Sequence, residues 1–139
     1  MEIRFRAWDK LNNKMIYDVE YTYDYRCIGL GANEGYFGEV LDSDDYFVMQ
    51  YIGLNDYNGK RIYEGDIVIW DKCPEYKHSY NKSIAKFEII WQIKKCGFGM
   101  KSASKDRYRD YNMQSGRNLA VIGNIYENPE LLEGVNYES

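Results

Sequence analysis

The sequence predicts a mainly β protein, and three observations carry that prediction. Apolar and aromatic residues recur at every second position through the strongest segments, Met15–Tyr25 and Ile84–Ile93. Turn residues punctuate those segments, most clearly Asn58-Gly59 and Gly65-Asp66. The one helix start that stands out lies near the C-terminus, at Asn128-Pro129-Glu130, with Asn to cap, Pro at the first helical position and an acid in the first turn. The chain runs only nine residues past that glutamate, so the helix is short.

In order along the chain, Ile3, Phe5 and Ala7 alternate with Arg4 and Arg6, and Asp9–Lys14 supplies turn residues. Met15–Tyr25 follows as the second arm of an N-terminal hairpin. Its odd positions (Met15, Tyr17, Val19, Tyr21, Tyr23, Tyr25) face inward and its even positions, with Asp18, Glu20 and Asp24, face water. The Gly- and Asp-rich stretch 29–45 suggests only a short strand at Tyr36–Leu41. Strands are then expected at Phe47–Leu54, Ile67–Trp70, Ile84–Ile93, Phe98–Lys101 and Leu119–Tyr126, with Arg61-Ile62-Tyr63 leading from the Asn58-Gly59 turn to the one at Glu64-Gly65-Asp66. Ala85, Phe87, Ile89, Trp91 and Ile93 share one face of the long strand Ile84–Ile93. Gly123 inside the last pattern marks a bulge or a close backbone approach. Trp8, Trp70 and Trp91 are expected as core rings.

At 139 residues, the chain suits one domain or two small ones sharing a core. A hydrophobic fraction of 45% with 29% charged residues is that of a globular protein and excludes wholesale disorder. No apolar run approaches a membrane span, and Met1–Arg4 lacks a secretory apolar region, so no membrane partner and a cytoplasmic location are expected. Three cysteines cannot complete a disulfide set and point to a reducing compartment.

Catalytic and metal constellations are poorly supplied. His78 is the single histidine, and Cys27, Cys73 and Cys96 form no CxxC pair, which leaves zinc without two close ligand pairs. Asp42, Asp44 and Asp45 lack the Gly and Glu that an EF-hand loop would place at its sixth and twelfth positions. Gly29-Leu30-Gly31 and Gly97-Phe98-Gly99 lack the third glycine of a dinucleotide loop. The expectation is a non-enzymatic protein with no catalytic residue, no metal and no cofactor.

Charge is the more informative feature. Residues 1–71 carry 7 Lys/Arg against 14 Asp/Glu, a net of −7, and residues 72–117 carry 11 against 4, a net of +7. Lys94, Lys95, Lys101, Lys105, Arg107, Arg109 and Arg117 face only Asp106 and Asp110, and Trp91, Phe98, Tyr108 and Tyr111 are interleaved with them, the composition of a single-strand nucleic-acid surface. Lys94, Lys95, Arg107, Tyr108, Arg109 and Tyr111 are its candidate contact residues. The same block could instead face the acidic N-terminal block of a neighbouring subunit, and a pI near 5.1 weighs against nonspecific nucleic-acid binding.

Four segments together resemble the YopX family of small phage and prophage proteins. They are Arg4–Asp9 with Met15-Ile16-Tyr17; Met49–Leu54 with Asn58-Gly59; Ile62–Val68; and Val121–Leu132. The resemblance implies a mainly β fold with a C-terminal SH3-type barrel and a phage origin, and it transfers no activity and no site residue. The resulting expectation is a hairpin-based subdomain at 1–46 and an SH3-like barrel at 47–139 ending in a helical turn. Its function would be that of a homo-oligomeric protein-interaction module, partnered by itself or by a phage or host protein. The alternative is a nucleic-acid module using 94–117.

Overall fold

A computed structural model describes residues 2–21, 37–70, 86–102, 110–112 and 115–132. The chain divides into two units, Met1–Tyr51 and Ile52–Ser139, and the division falls inside one strand. The architecture is mainly β, with two antiparallel sheets and little helix.

In the first unit, β1 (Phe5–Asp9) lies between β2 (Lys14–Tyr17) and the first half of β3 (Tyr46–Asn55). The register sets Ala7 opposite both Ile16 and Val48. With Val19 and Val40 these residues form the unit's core, with Phe5, Phe37, Tyr46 and Val48 packed on it.

Two sequence expectations fail here. The strand expected at Met15–Tyr25 stops at Tyr17, and its faces are reversed: Ile16 is 7% exposed while Tyr17 is 49% exposed. The cause is the chain's next step. Asp18 takes a left-handed φ of 58°, which a short polar side chain tolerates, and Val19–Tyr21 close a 3-10 turn. That turn swings Val19 into the core and lets the Glu20 carboxylate accept the Phe5 N–H at 2.7 Å. A shift of one residue exchanges every side chain between faces, so a pattern read across the turn gives the wrong one. Residues 22–25 lie outside the described residues.

The second failure is the short strand expected at Tyr36–Leu41. Phe37–Asp42 is instead an α-helix, α1, and Tyr36 lies outside the described residues. Phe37 and Val40 are three apart, the spacing that puts both on the core side of a helix.

In the second unit the five-stranded sheet has the order β8-β7-β6-β5-β9. Its strands are β5 (Asp66–Trp70), β6 (Lys86–Gln92), β7 (Gly97–Ser102), β8 (Asp110–Asn112) and β9 (Leu119–Asn124). Four strands meander, and the fifth returns beside the first to make a half-barrel. β4 (Arg61–Tyr63) neighbours β3 at the edge of the other sheet. Ile52, Ile62, Val68, Phe87, Ile89, Met100 and Leu119 form the core, with Leu54, Trp70, Phe98 and Val121 against it. β8 falls inside the stretch that showed no strand pattern in the sequence.

The turns of this unit are organised by buried Asx side chains. Asp56 Oδ1 accepts the N–H groups of Asn58 and Lys60 at 2.8 and 2.9 Å, and its Oδ2 accepts that of Val121 at 2.9 Å. One carboxylate therefore closes the β3–β4 turn and fixes β9 beside it. Gly59 takes the positive φ of 80° that this turn requires. Asp66 accepts the Tyr63 N–H at 2.8 Å and closes the β4–β5 turn, with Gly65 at φ 87°.

Asn124 accepts the N–H groups of Tyr126 and Glu127 at 3.0 and 2.8 Å, so β9 ends there and not at Tyr126. Asn128 does not cap the following 3-10 turn, Pro129–Leu131; its Oδ1 accepts the Asn124 N–H at 3.2 Å. The bulge expected at Gly123 is present. The β5–β9 register passes from Ile67↔Gly123 to Val68↔Val121, and a Cβ on Gly123 would lie 2.5 Å from Asn128 Oδ1.

Candidate binding surface at the β6–β7 connection

β6 and β7 pair from Phe87↔Ser102 to Gln92↔Gly97, and Ile93–Lys95 form a 3-10 turn between them. Phe87 and Ile89 on the inward row of β6 are fully buried. The same row then runs out of cover. Trp91, expected as a core ring, is 46% exposed, and Ile93, expected on the inward face, is 81% exposed on the turn. Trp8 and Trp70 are partly buried, and Trp70 packs against Phe87 with ring centroids 6.0 Å apart.

The exposed end is well ordered by its own contacts. Trp91 and Phe98, directly opposite in the register, meet edge to face at 5.0 Å. On the other row Gln92 is buried over Gly99, where a Cβ would stand 2.4 Å from the Gln92 side chain. Gly99 therefore serves packing and not a phosphate loop. Cys96 closes the turn at a left-handed φ of 49°, with its thiol exposed. Lys94 and Lys95 are exposed on the turn.

Of the six interface residues read from the sequence, Lys94 and Lys95 stand on the turn that follows Trp91, which with Phe98 belongs to the rings read among the cations. Arg107, Tyr108 and Arg109 lie outside the described residues. Tyr111 occupies the β8 register position opposite Met100. His78, Cys27 and Cys73 lie outside the described residues as well. Sequence reading counted Trp91 both among the rings of the basic stretch and as a core ring, and it missed Ile93 as a surface group. The signal was Lys94-Lys95-Cys96-Gly97, a polar, glycine-ended run that marks the strand's end and leaves Ile93 within the connection.

Further back on the hairpin, Glu88 stands opposite Lys101. Partial burial raises the Glu88 pKa above the usual carboxylate range; the Lys101 ammonium opposes the rise and the Glu64 carboxylate adds to it. Among the described residues no group of three or more His, Cys, Asp or Glu is placed to hold a metal ion, and no helix is long and apolar enough to cross a membrane.

A sequence model of the family described as "YopX protein" matches residues 4–133, nearly the whole chain. The chain belongs to the YopX family. The crystal structure of protein EF1440 from Enterococcus faecalis is similar at 26% identity and a TM-score of 0.51, covering 96% of this chain and 99% of that one. No curated protein matches the chain. The segments that resemble YopX proteins contain Asp66, Gly123, Asn124 and Asn128, which close turns and admit one another's side chains. In this chain those motifs serve the fold. The β6–β7 end lies outside the four segments.

Proposed function

We propose that this YopX-family chain is a non-enzymatic, homo-oligomeric protein-interaction module of phage origin, acting in the bacterial cytoplasm through the β6–β7 end. The observation that carries the reading is the exposed Trp91, backed edge to face by the partly buried Phe98 and followed by Ile93 and the exposed Lys94 and Lys95. An aromatic anchor with apolar neighbours and a charged rim is the composition of a protein contact. A branched aliphatic side chain as exposed as Ile93 gains little from stacked bases, which use rings. That favours protein over single-stranded nucleic acid at the same place, although the cations suit either.

A photo-crosslinking amino acid at position 93, introduced in the cells that express the chain, tests the reading. Protein adducts that resist nuclease are expected. Adducts removed by nuclease, or oligonucleotide binding in fluorescence anisotropy that falls steeply with salt, would overturn it.

A further inference from the structure

The partner at the β6–β7 end can be specified further, on the premise that this end binds protein. We propose that it docks on the acidic segment Glu39–Asp45 of a second copy of this chain. That segment covers the exposed side of α1 and the turn into β3. Glu39, Asp42, Asp44 and Asp45 are all exposed, and Leu41 among them is 53% exposed, while Val40 alone points into the core.

The turn is held by its own backbone. Asp45 donates its N–H to Ser43 Oγ at 3.1 Å, and its carbonyl accepts the Lys10 N–H at 3.0 Å. Lys10 reaches the Asp44 carbonyl with its Nζ, which lies 3.9 Å from the centroid of the Phe47 ring. Lys10 is therefore directed to a carbonyl and a ring, and the four carboxylates remain on the surface as a net negative patch with an apolar centre.

The two patches match in kind. One offers Trp91 and Ile93 bordered by two ammonium groups, and the other offers Leu41 bordered by four carboxylates. Like patches repel, so two copies cannot meet tip to tip or acid to acid; unlike patches attract and fix the register. Each copy carries both patches, so reciprocal pairing closes a two-fold dimer and one-way pairing continues to a ring or a chain. Because the charges lie at the surface, the contact weakens as salt shortens the screening length.

Sedimentation velocity on the full chain tests this at about 0.05 M and about 0.5 M salt, where the screening length falls severalfold. The wild type is expected to sediment above monomer mass in low salt and to dissociate in high salt. K94E/K95E and D44K/D45K are each expected to be monomeric alone, and an equimolar mixture is expected to associate again, since each then supplies the intact patch the other lacks. Ile93→Ser, at a site too exposed to affect folding, is expected to lose the assembly too, with circular dichroism unchanged.

A wild type that is monomeric in low salt at tens of micromolar overturns the second-copy partner. So does a folded K94E/K95E that still assembles, or a mixture that stays monomeric. The position-93 crosslink separates the two readings. Adducts to a different protein with a monomeric wild type sink this inference and the homo-oligomeric part of the proposed function but leave a protein-interaction surface standing, whereas nuclease-sensitive adducts sink both readings.

Discussion

Two strand connections of the second unit solve opposite problems. The Asp56–Lys60 turn directs its polar groups inward: one carboxylate takes three backbone N–H donors, and the turn's backbone reaches β9 through Tyr57 N–H to Leu119 O at 2.8 Å. The Ile93–Cys96 connection directs apolar and cationic side chains outward and contributes little to closing the half-barrel. Buried polar groups are costly unless satisfied, so the first connection is committed to the fold. The second leaves Ile93, Lys94 and Lys95 exposed, the side chains through which the proposed contact would run.

The sharpest break of this comparison is Asp56→Ala. It strips the acceptor from three N–H groups at once, and a loss of about 3 kcal/mol is expected from the cost of unsatisfied buried donors. Urea denaturation would show it as a lower midpoint, while the equivalent measurement on Lys94→Ala should show no change beyond about 0.5 kcal/mol, as for other surface sites.

Gly116→Ala comes next. A Cβ there would stand 2.0 Å from the Asn55 carbonyl oxygen, and backbone cannot step aside as a flexible side chain can. A loss of about 1–3 kcal/mol is expected, in the range of overpacked sites. At the other connection, Trp91→Ala removes the edge-to-face contact with Phe98 and should cost about 1 kcal/mol, with the assembly lost at a point where most of the protein is still folded.

The smallest effect concerns pH. Glu88 has a folded-state pKa above its unfolded value, so the native state binds the extra proton and stability falls as pH rises through the folded pKa. Glu88→Gln removes that cost. Its melting temperature should exceed the wild type's at neutral pH, and the difference should shrink to nothing once pH falls below the unfolded carboxylate range. An advantage that persists unchanged at acid pH would show that packing and not ionisation is responsible.

Much of the fold was legible because turn chemistry and period two are local signals. Asn58-Gly59, Gly65-Asp66 and the Gly123 bulge all stand where the sequence places them. The failures arise where tertiary contacts override the local pattern. Nothing local announces that Glu20 will bind the Phe5 N–H and end β2 at Tyr17, or that Phe37 and Val40 will find a core that makes a helix of six residues preferable to a strand. For the binding surface, composition located the two lysines and four rings, Trp91, Phe98, Tyr108 and Tyr111, but chose the two tyrosines as the contact rings. The pairing of Trp91 with Phe98 depends on the β6–β7 register, and the exposure of Trp91 and Ile93 depends on where the strand runs out of cover.

Hydrogen exchange as a function of protein concentration and salt tests the central claim most directly, since it reads both connections in one sample. Amides of Asp56–Lys60 should be protected equally in dilute and concentrated protein, because their partners lie within the chain. Amides of Ile93–Lys95, on the exposed turn between the paired strands, should gain protection only in concentrated, low-salt protein, when the surface is covered. Protection at Ile93–Lys95 that is independent of concentration and salt would contradict the account.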